Sequence, residues 1–435
     1  MCAAERASSH AYGRMSALTR RRLLALGGAS LATYACRDVP SSAGPASASP
    51  TPTPTPTQIP PTAAPTPAPG ILIRAAALAD GRSASPQRNV SLLVRDGRIA
   101  YVGPRDSEPD IRNTELVDLG GATIVPGLVD CHAHLTGPGG LDYLTRLQDP
   151  DGILRARAIE NSQVLVRTGV LAVRDVGAVR RMNVVMRDEL RGKRDAPLIL
   201  AAGTWIGRRG RYVSFAVQVD DAAQLRDAAL AQLDAGADLV KIAVDGATGS
   251  PATFTASELR PAVDAVHARG KRVAVHAQGL GARSAAEAGV DTIDHGYSID
   301  STTAERMRGG TALVTTLSVP VAFNNAAELE MGLASVRAAR AAGVRIATGT
   351  DFGGGPPRVG NHALELELLV RAGLQPHEAL ASSTWIAGEV LGVVHAGTLS
   401  VGAPADLVCV DGDPLSDVKA LRQVRAVFHD GQRIV

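Results

Sequence analysis

The sequence predicts an α/β protein: a (β/α)8 TIM barrel carrying a small β-sandwich domain assembled from both ends of the chain. Three observations lead there. Between residues 123 and 350, eight apolar strand-like segments alternate with helical stretches rich in Ala, Arg, Leu and Glu, the pattern of parallel strands joined by crossover helices. Both ends instead carry short strands interrupted by Asp-Gly turns at 96–97, 411–412 and 430–431, which suits antiparallel pairing. A chain of 435 residues, 45% of them hydrophobic, can also bury one large core beside a smaller one. A doubly wound sheet is the alternative, but it rarely needs eight such units.

In chain order, the first element is a leader rather than part of a fold. Three arginines, Arg20, Arg21 and Arg22, precede a short apolar run at 25–35 and then Cys36. Basic residues, a short apolar stretch and a small residue before the break read as an export signal over 1–36, too short for a stable membrane span. The arginine pair followed by two leucines resembles a twin-arginine signal, and Met15 is a second candidate start beside Met1. Ala35-Cys36 reads as a degenerate lipoprotein cleavage site, which would put a lipid anchor on Cys36 and hold the exported protein at the cell surface or in the periplasm. Simple cleavage after Ala35 is the alternative. Residues 37–69, with Thr and Pro alternating at 51–56, form an extended disordered spacer that suits a tether.

The small β domain takes its N-terminal part from 70–122, with strands and turns expected at 71–74, 90–102 and 114–120, and its C-terminal part from 395–435. The barrel occupies 123–394, with strands expected at 123–131, 170–175, 197–202, 238–244, 272–277, 291–295, 312–317 and 344–350. Helices at 255–269, 281–288 and 327–342 illustrate the connections. Residues 1–69 hold six arginines against Glu5 and Asp38, so the body has 39 basic and 41 acidic residues. That near-neutral balance gives no footprint for nucleic acid, and aromatics at 3% argue against stacking platforms for sugars or single strands. Cys131 and Cys409 lie in apolar segments far apart and read as core residues rather than a disulfide.

Catalytic groups of such barrels sit at the C-terminal ends of the strands. Those ends carry His132 and His134 on the first strand, Lys241 on the fourth, His276 on the fifth, His295 on the sixth and Asp351 after the eighth. On a strand, His132 and His134 face the same way. Alone the pair is weak evidence for a metal, but four imidazoles, a carboxylate and an amine on one face are far more specific. Only four of the chain's 45 basic residues are lysines, so a lysine inside an apolar strand points to something a guanidinium cannot do. A desolvated amine can lose its proton and add CO2 to become a carbamate, whose two oxygens can bridge two cations. A lysine snorkelling to the barrel rim is the structural alternative.

This set resembles the amidohydrolase superfamily, specifically its imidazolonepropionase-like and Xaa-Pro dipeptidase (prolidase) branch, over essentially all of 70–435. The stretches at 360–370 and 378–387 also look like helices that follow the eighth strand in this branch. The resemblance implies that His132, His134 and Asp351 hold one divalent ion and His276 and His295 a second. Lys241, as its carbamate, and a hydroxide would bridge the two. Imidazolonepropionase itself is less similar, because it uses one metal and lacks the bridging lysine. Zinc suits the mixed imidazole and carboxylate set best, although manganese, cobalt or iron fit the same ligands. Two cations lower the pKa of a shared water and polarise a carbonyl, and Asp351 is placed as general acid–base.

Other polar residues remain open. His362, after the Gly-rich loop at 352–360, could touch substrate or be structural. Arg208, Arg209 and Arg211, after the third strand, could bind a substrate carboxylate or form a solvated rim. Tyr297 could donate to an oxyanion or pack. Asp175 could orient a ligand histidine or pair with Arg174. His267, His377, His395 and His429 read as structural or surface. The expected activity is hydrolysis of a C–N bond in a small amide, dipeptide or cyclic amide. Ester, lactone or phosphotriester hydrolysis on the same site is the enzymatic rival, and a tethered, non-catalytic binding lipoprotein is the rival from another class. Substrate identity and oligomeric state are not written in the sequence, because specificity lies in the strand-to-helix loops.

Overall fold

The computed structural model describes residues 69–355 and 361–435. The leader at 1–36, with Met15 and Cys36, and the spacer through residue 68 lie outside the described residues. Five strands come first: β1 (Gly70–Leu78), β2 (Gln87–Arg95), β3 (Arg98–Pro104), β4 (Thr114–Asp118) and β5 (Thr123–Pro126). The middle of the chain supplies β6 (Leu128–Ala133), β7 (Val170–Asp175), β8 (Leu198–Ala201), β9 (Ile206–Arg208) and β10 (Val217–Val219). It continues with β11 (Val240–Ala243), β12 (Val273–Ala277), β13 (Thr292–His295), β14 (Ala312–Thr315) and β15 (Ile346–Thr348). Last are β16 (Leu407–Val410), β17 (Val424–His429) and β18 (Gln432–Arg433).

The two ends of the chain share one sheet, ordered β18-β17-β16-β5-β1-β2-β3, with β4 beside β1. They join where β5 runs antiparallel to β16, Ile124 opposite Cys409. Ile73, Leu92 and Ile99 from one half of the sheet and Leu407, Cys409 and Phe428 from the other pack into a single apolar core. Removing these side chains from water is the main driving force for closing the chain on itself.

The barrel strands pair in parallel from β6 through β7 to β8, and from β9 through β11, β12, β13 and β14 to β15. The ring closes where Asp351 N donates to His132 O at 2.8 Å and His134 N to Phe352 O at 2.7 Å. Asp130 reinforces this seam by accepting from His132 N at 3.0 Å and Thr350 N at 3.1 Å. Most of these strands are buried at every position, as expected when helices cover a parallel sheet. Thr255 caps the helix Ala256–His267 in a reciprocal box with Glu258, and Asn325 caps the helix Ala326–Ala341.

Two strands depart from the expected reading. The strand expected at 123–131 is two: β5 belongs to the small sheet and β6 to the barrel, so the small domain takes residues to 126 rather than 122. The hand-off falls at Gly127, whose N–H goes to Asp406 O, while Leu128 N already bonds Gly169 O in the barrel. Both strands are fully buried, so no change of hydrophobic pattern marks the join. The third barrel strand runs in two pieces. β8 pairs with β7, and after a break β9 pairs with β11, Ile206 opposite Ile242.

Glu365, on the helix Asn361–Arg371, is completely buried and accepts from Leu317 N at 2.7 Å and Ser318 N at 2.8 Å. It thereby pins the turn after β14. Burial pushes its carboxyl from 4.5 up to about 7, the hydrogen bonds offsetting only part of that cost. Between those values the folded chain keeps a proton that the unfolded chain has released, so stability is full below 4.5 and falls as pH rises through about 7. Glu365→Gln is expected to flatten this dependence. Tm profiles from pH 4 to 8 that ran parallel for the two proteins would exclude it.

Candidate metal centre

Six side chains meet at the C-terminal mouth of the barrel. His132 projects from β6 and His134 from the residue just past its end, Lys241 from β11, His276 from β12, His295 from the end of β13 and Asp351 from just beyond β15. All six are buried, none more than 8% exposed. Asp351 Oδ1 stands 3.5 Å from His132 Nε2 and 3.3 Å from His134 Nε2. The ligand atoms of these three residues lie within 4.8 Å of one another. The His295 ring is 4.7 Å from that of His132 and 4.6 Å from that of His276, centroid to centroid, so the imidazoles form one continuous array. His295 and Asp351 both hold left-handed backbone, φ 70° and 54°, a strain that recurs at functional sites. A Cβ at Gly354 would stand 2.2 Å from Asp351 Oδ1 and 2.7 Å from His134 Cδ2, so only glycine fits against the two.

The outward hydrogen bonds fix which ring nitrogens face inward. His132 Nδ1 faces the Asp294 carboxylate at 3.0 Å and His134 Nδ1 the Gly177 carbonyl at 2.9 Å. Both partners can only accept, so Nδ1 carries the proton and Nε2 keeps its lone pair for the centre. His276 is reversed: Nε2 donates to Gly246 O at 3.3 Å, which frees Nδ1. His295 Nδ1 meets Thr316 Oγ1 at 2.8 Å. Burial lowers His276 to about 3 and, with His276 and His132 beside it, takes His295 well below the ordinary imidazole value. Neutral imidazole is the ligating form.

Asp351 shows that the centre fits a cation. Burial alone would raise its carboxyl, but positive charge on the His132 and His134 rings, when protonated, holds it well below the usual range, and His134 is raised in return; a cation would supply that charge in their place. Oδ1 is nonetheless a buried atom without a hydrogen-bond partner among the described residues. A carboxylate oxygen and two imidazole lone pairs aimed at one point are what a divalent ion accepts.

Lys241 donates to Asp294, which is wholly buried. Burial drives the lysine down from 10.5 to about 8 against the opposing pull of Asp294. Asp294 Oδ1 also accepts from Arg174 Nη2 at 2.9 Å and Thr292 Oγ1 at 3.0 Å. A carbamate on Lys241 retains one N–H, so it could keep the contact to Asp294 while Arg174 balances the carboxylate. Asp294 is the residue that sequence reasoning missed. Its signal was a carboxylate inside a buried strand, which requires a partner. Asp175 bonds Leu135 N at 2.8 Å and Gly177 N at 3.0 Å, shaping the turns beside His134 rather than pairing with Arg174.

Three expected substrate contacts lie elsewhere. Arg209 forms a two-pronged pair with Asp220 at 2.8 and 3.0 Å, because the left-handed Gly210 (φ 67°) turns the chain between it and Arg211. Tyr297 is 1% exposed and donates to Thr316 O at 2.9 Å, so it supports the residue that orients His295. His362 contacts Ser383 and lies 4.0 Å from Asp130, behind the seam between β6 and β15. Arg211 instead lines a cavity of about 520 Å3 that opens over the centre, as do Glu328, Gln278 and Asn325. Among the described residues no side-chain hydrogen bond or ion pair engages its guanidinium.

Comparisons with known proteins give the chain a family. The Amidohydrolase family matches residues 123–434. An uncharacterized protein of Mycobacterium tuberculosis is 32% identical over 75% of this chain and 86% of its own. An ochratoxinase of Aspergillus niger is 28% identical over 79% of this chain and 82% of its own. The crystal structure of a Xaa-Pro dipeptidase with bound methionine in the active site superposes with a TM-score of 0.75 at 27% identity, covering 84% of this chain and 99% of that one.

Proposed function

The chain belongs to the amidohydrolase family, and from that premise we propose that it is a binuclear metal-dependent hydrolase of small amides that carry a carboxylate, N-acyl amino acids or dipeptides of the Xaa-Pro kind. The observation that carries this reading is a set of four buried imidazoles, Asp351 and Lys241 lining one cavity with Arg211, in which His132, His134 and Asp351 bring their ligand atoms within 4.8 Å of one another. His132, His134 and Asp351 would hold one ion, His276 and His295 the other, and carboxylated Lys241 would join them. When bound, the two ions supply a hydroxide nucleophile at neutral pH and polarise the scissile carbonyl.

The chain's own groups do the rest. Arg211 anchors the substrate carboxylate, a contact that its planar fork suits. The Asp351 carboxylate receives the proton of the attacking water and delivers it to the leaving nitrogen, which departs as a neutral amine. The apolar walls limit bulk water around that transfer. An esterase, lactonase or phosphotriesterase would need no carboxylate anchor, so Arg211 favours the amide reading. The leader read at 1–36 extends the proposal to an exported enzyme, tethered where Cys36 is acylated.

Metal analysis tests the centre. Purified protein grown with zinc is expected to carry about two equivalents, with bicarbonate raising occupancy of metal-depleted protein on reloading, and to hydrolyse members of an N-acyl amino acid and Xaa-Pro panel. Lys241→Ala is expected to bind about one equivalent and to lose bicarbonate dependence. Full metal content and activity in that variant would end the binuclear reading.

A further inference from the structure

The strongest unexplained feature of the cavity is its rings. Aromatics make up 3% of the chain, yet one of its two tryptophans, two of its six tyrosines and two of its five phenylalanines line this single space: Trp205, Tyr143, Tyr212, Phe215 and Phe323. They come from three separate segments, so no local composition explains the gathering.

Their arrangement is ordered around the centre. Trp205 tilts against His134 at 5.4 Å and meets Phe215 edge-on at 5.5 Å. On the far side, Tyr212 lies 5.0 Å from the His276 ring. Over the loop after β15, a Cβ built on Gly355 would come within 2.8 Å of Phe323 and 3.6 Å of Tyr143, so these two rings converge where only a bare backbone leaves room. Phe323 is 37% exposed, placing it at the mouth. Trp205 belongs to the barrel core and Tyr143, Tyr212 and Phe215 pack against that core, yet all of them, with Phe323, also line one open space of about 520 Å3.

We propose that Trp205, Phe215, Tyr212, Tyr143 and Phe323 form an aromatic cage that selects substrates bearing a planar aromatic group next to the scissile amide. This rests on the amide-hydrolase reading and narrows it to a substrate class: N-acyl aromatic amino acids and dipeptides with an aromatic residue. The physical basis is that rings stack offset or edge-on at centroid separations of about 4.5–7 Å, which a cage spaced like this one offers on more than one wall. The volume lies within the roughly 300–1,000 Å3 of small-molecule clefts.

The test separates the cage from the chemistry. Trp385 lies away from this cavity, stacked under Arg82, so Trp385→Phe leaves Trp205 as the sole tryptophan. Metal-free protein cannot turn over substrate and is titrated with N-acetylphenylalanine and N-acetylalanine while Trp205 emission is followed. The phenyl ligand is expected to shift the emission and to bind roughly tenfold more tightly or better, and Phe323→Ala to shrink that preference. In the metal-loaded enzyme the kcat/KM ratio of the two is expected to be roughly 10- to 100-fold. Equal binding and equal turnover would overturn the cage and leave the amide reading intact. Selective binding of the phenyl ligand with no amide hydrolysed would overturn that reading and leave the cage.

Discussion

Asp351→Asn is expected to lower kcat/KM by about 10^2- to 10^4-fold, the range that a positioned acid–base contributes. The substitution preserves shape and leaves an oxygen to face His132 and His134, but the amide can neither receive nor return a proton. The site magnifies the loss. Asp351 is 8% exposed and its Oδ1 has no other partner among the described residues, so water cannot readily stand in. A second contribution comes from ligation, because an amide oxygen is a poorer donor to a cation than a carboxylate. Metal content separates the two. A variant that retains its metal while kcat falls identifies proton transfer as the lost function, and one that loses metal in step with activity identifies ligation. Unchanged kcat with full metal would remove Asp351 from the reaction.

The parts of this site that were legible in the sequence share one property: their chemistry is out of place where they sit. Two histidines at the end of one apolar strand, a buried lysine in a chain that mostly uses arginine, and an aspartate after a run of small residues each break a buried pattern. Strand and helix positions were equally readable, since the helix at Gly281–Ala288 and the strand β7 fall where the hydrophobic runs place them. Three features were not. The join at Gly127 is invisible because residues on either side are buried on both faces. Arg209 and Arg211 look alike in sequence, and only the turn at Gly210 decides that one meets Asp220 while the other lines the cavity. The gathering of rings required the tertiary fold, because Tyr143, Trp205 and Phe323 lie in the connections after three different strands, β6, β8 and β14. A low aromatic content, which argues against stacking platforms when averaged over the chain, is concentrated at one place.

Asp294 was illegible for a related reason, and it carries the second large expected effect. Asp294 on β13 and Arg174 on β7 belong to strands that are not neighbours, so their meeting depends on the closed barrel rather than on any spacing along the chain. Asp294→Asn is expected to destabilise the protein by about 3–5 kcal/mol, the cost of breaking a buried pair while its partner stays. Asparagine fills the same volume and can still accept from His132 Nδ1 through its one oxygen, but its amide nitrogen then meets the Arg174 and Thr292 donors, so an acceptor is lost together with the charge. Burial and the opposing pulls are visible in the native groups. Desolvation would raise the Asp294 carboxyl, but Lys241 and Arg174 hold it well below its ordinary value. Without it, Arg174 at 3% exposure becomes an unbalanced cation in a space that also binds metal, and Lys241 at 1% a second one until it is carboxylated. Repulsion between those cations and the incoming ions adds a fall in metal affinity, about 10- to 100-fold for a lost outer partner. A thermodynamic cycle with Arg174→Met isolates the mechanism: removing the surplus cation is expected to restore part of both stability and metal affinity to Asp294→Asn. Additive losses in the double variant would mean that Asp294 acts by packing, and that the lysine is held in place by something other than charge.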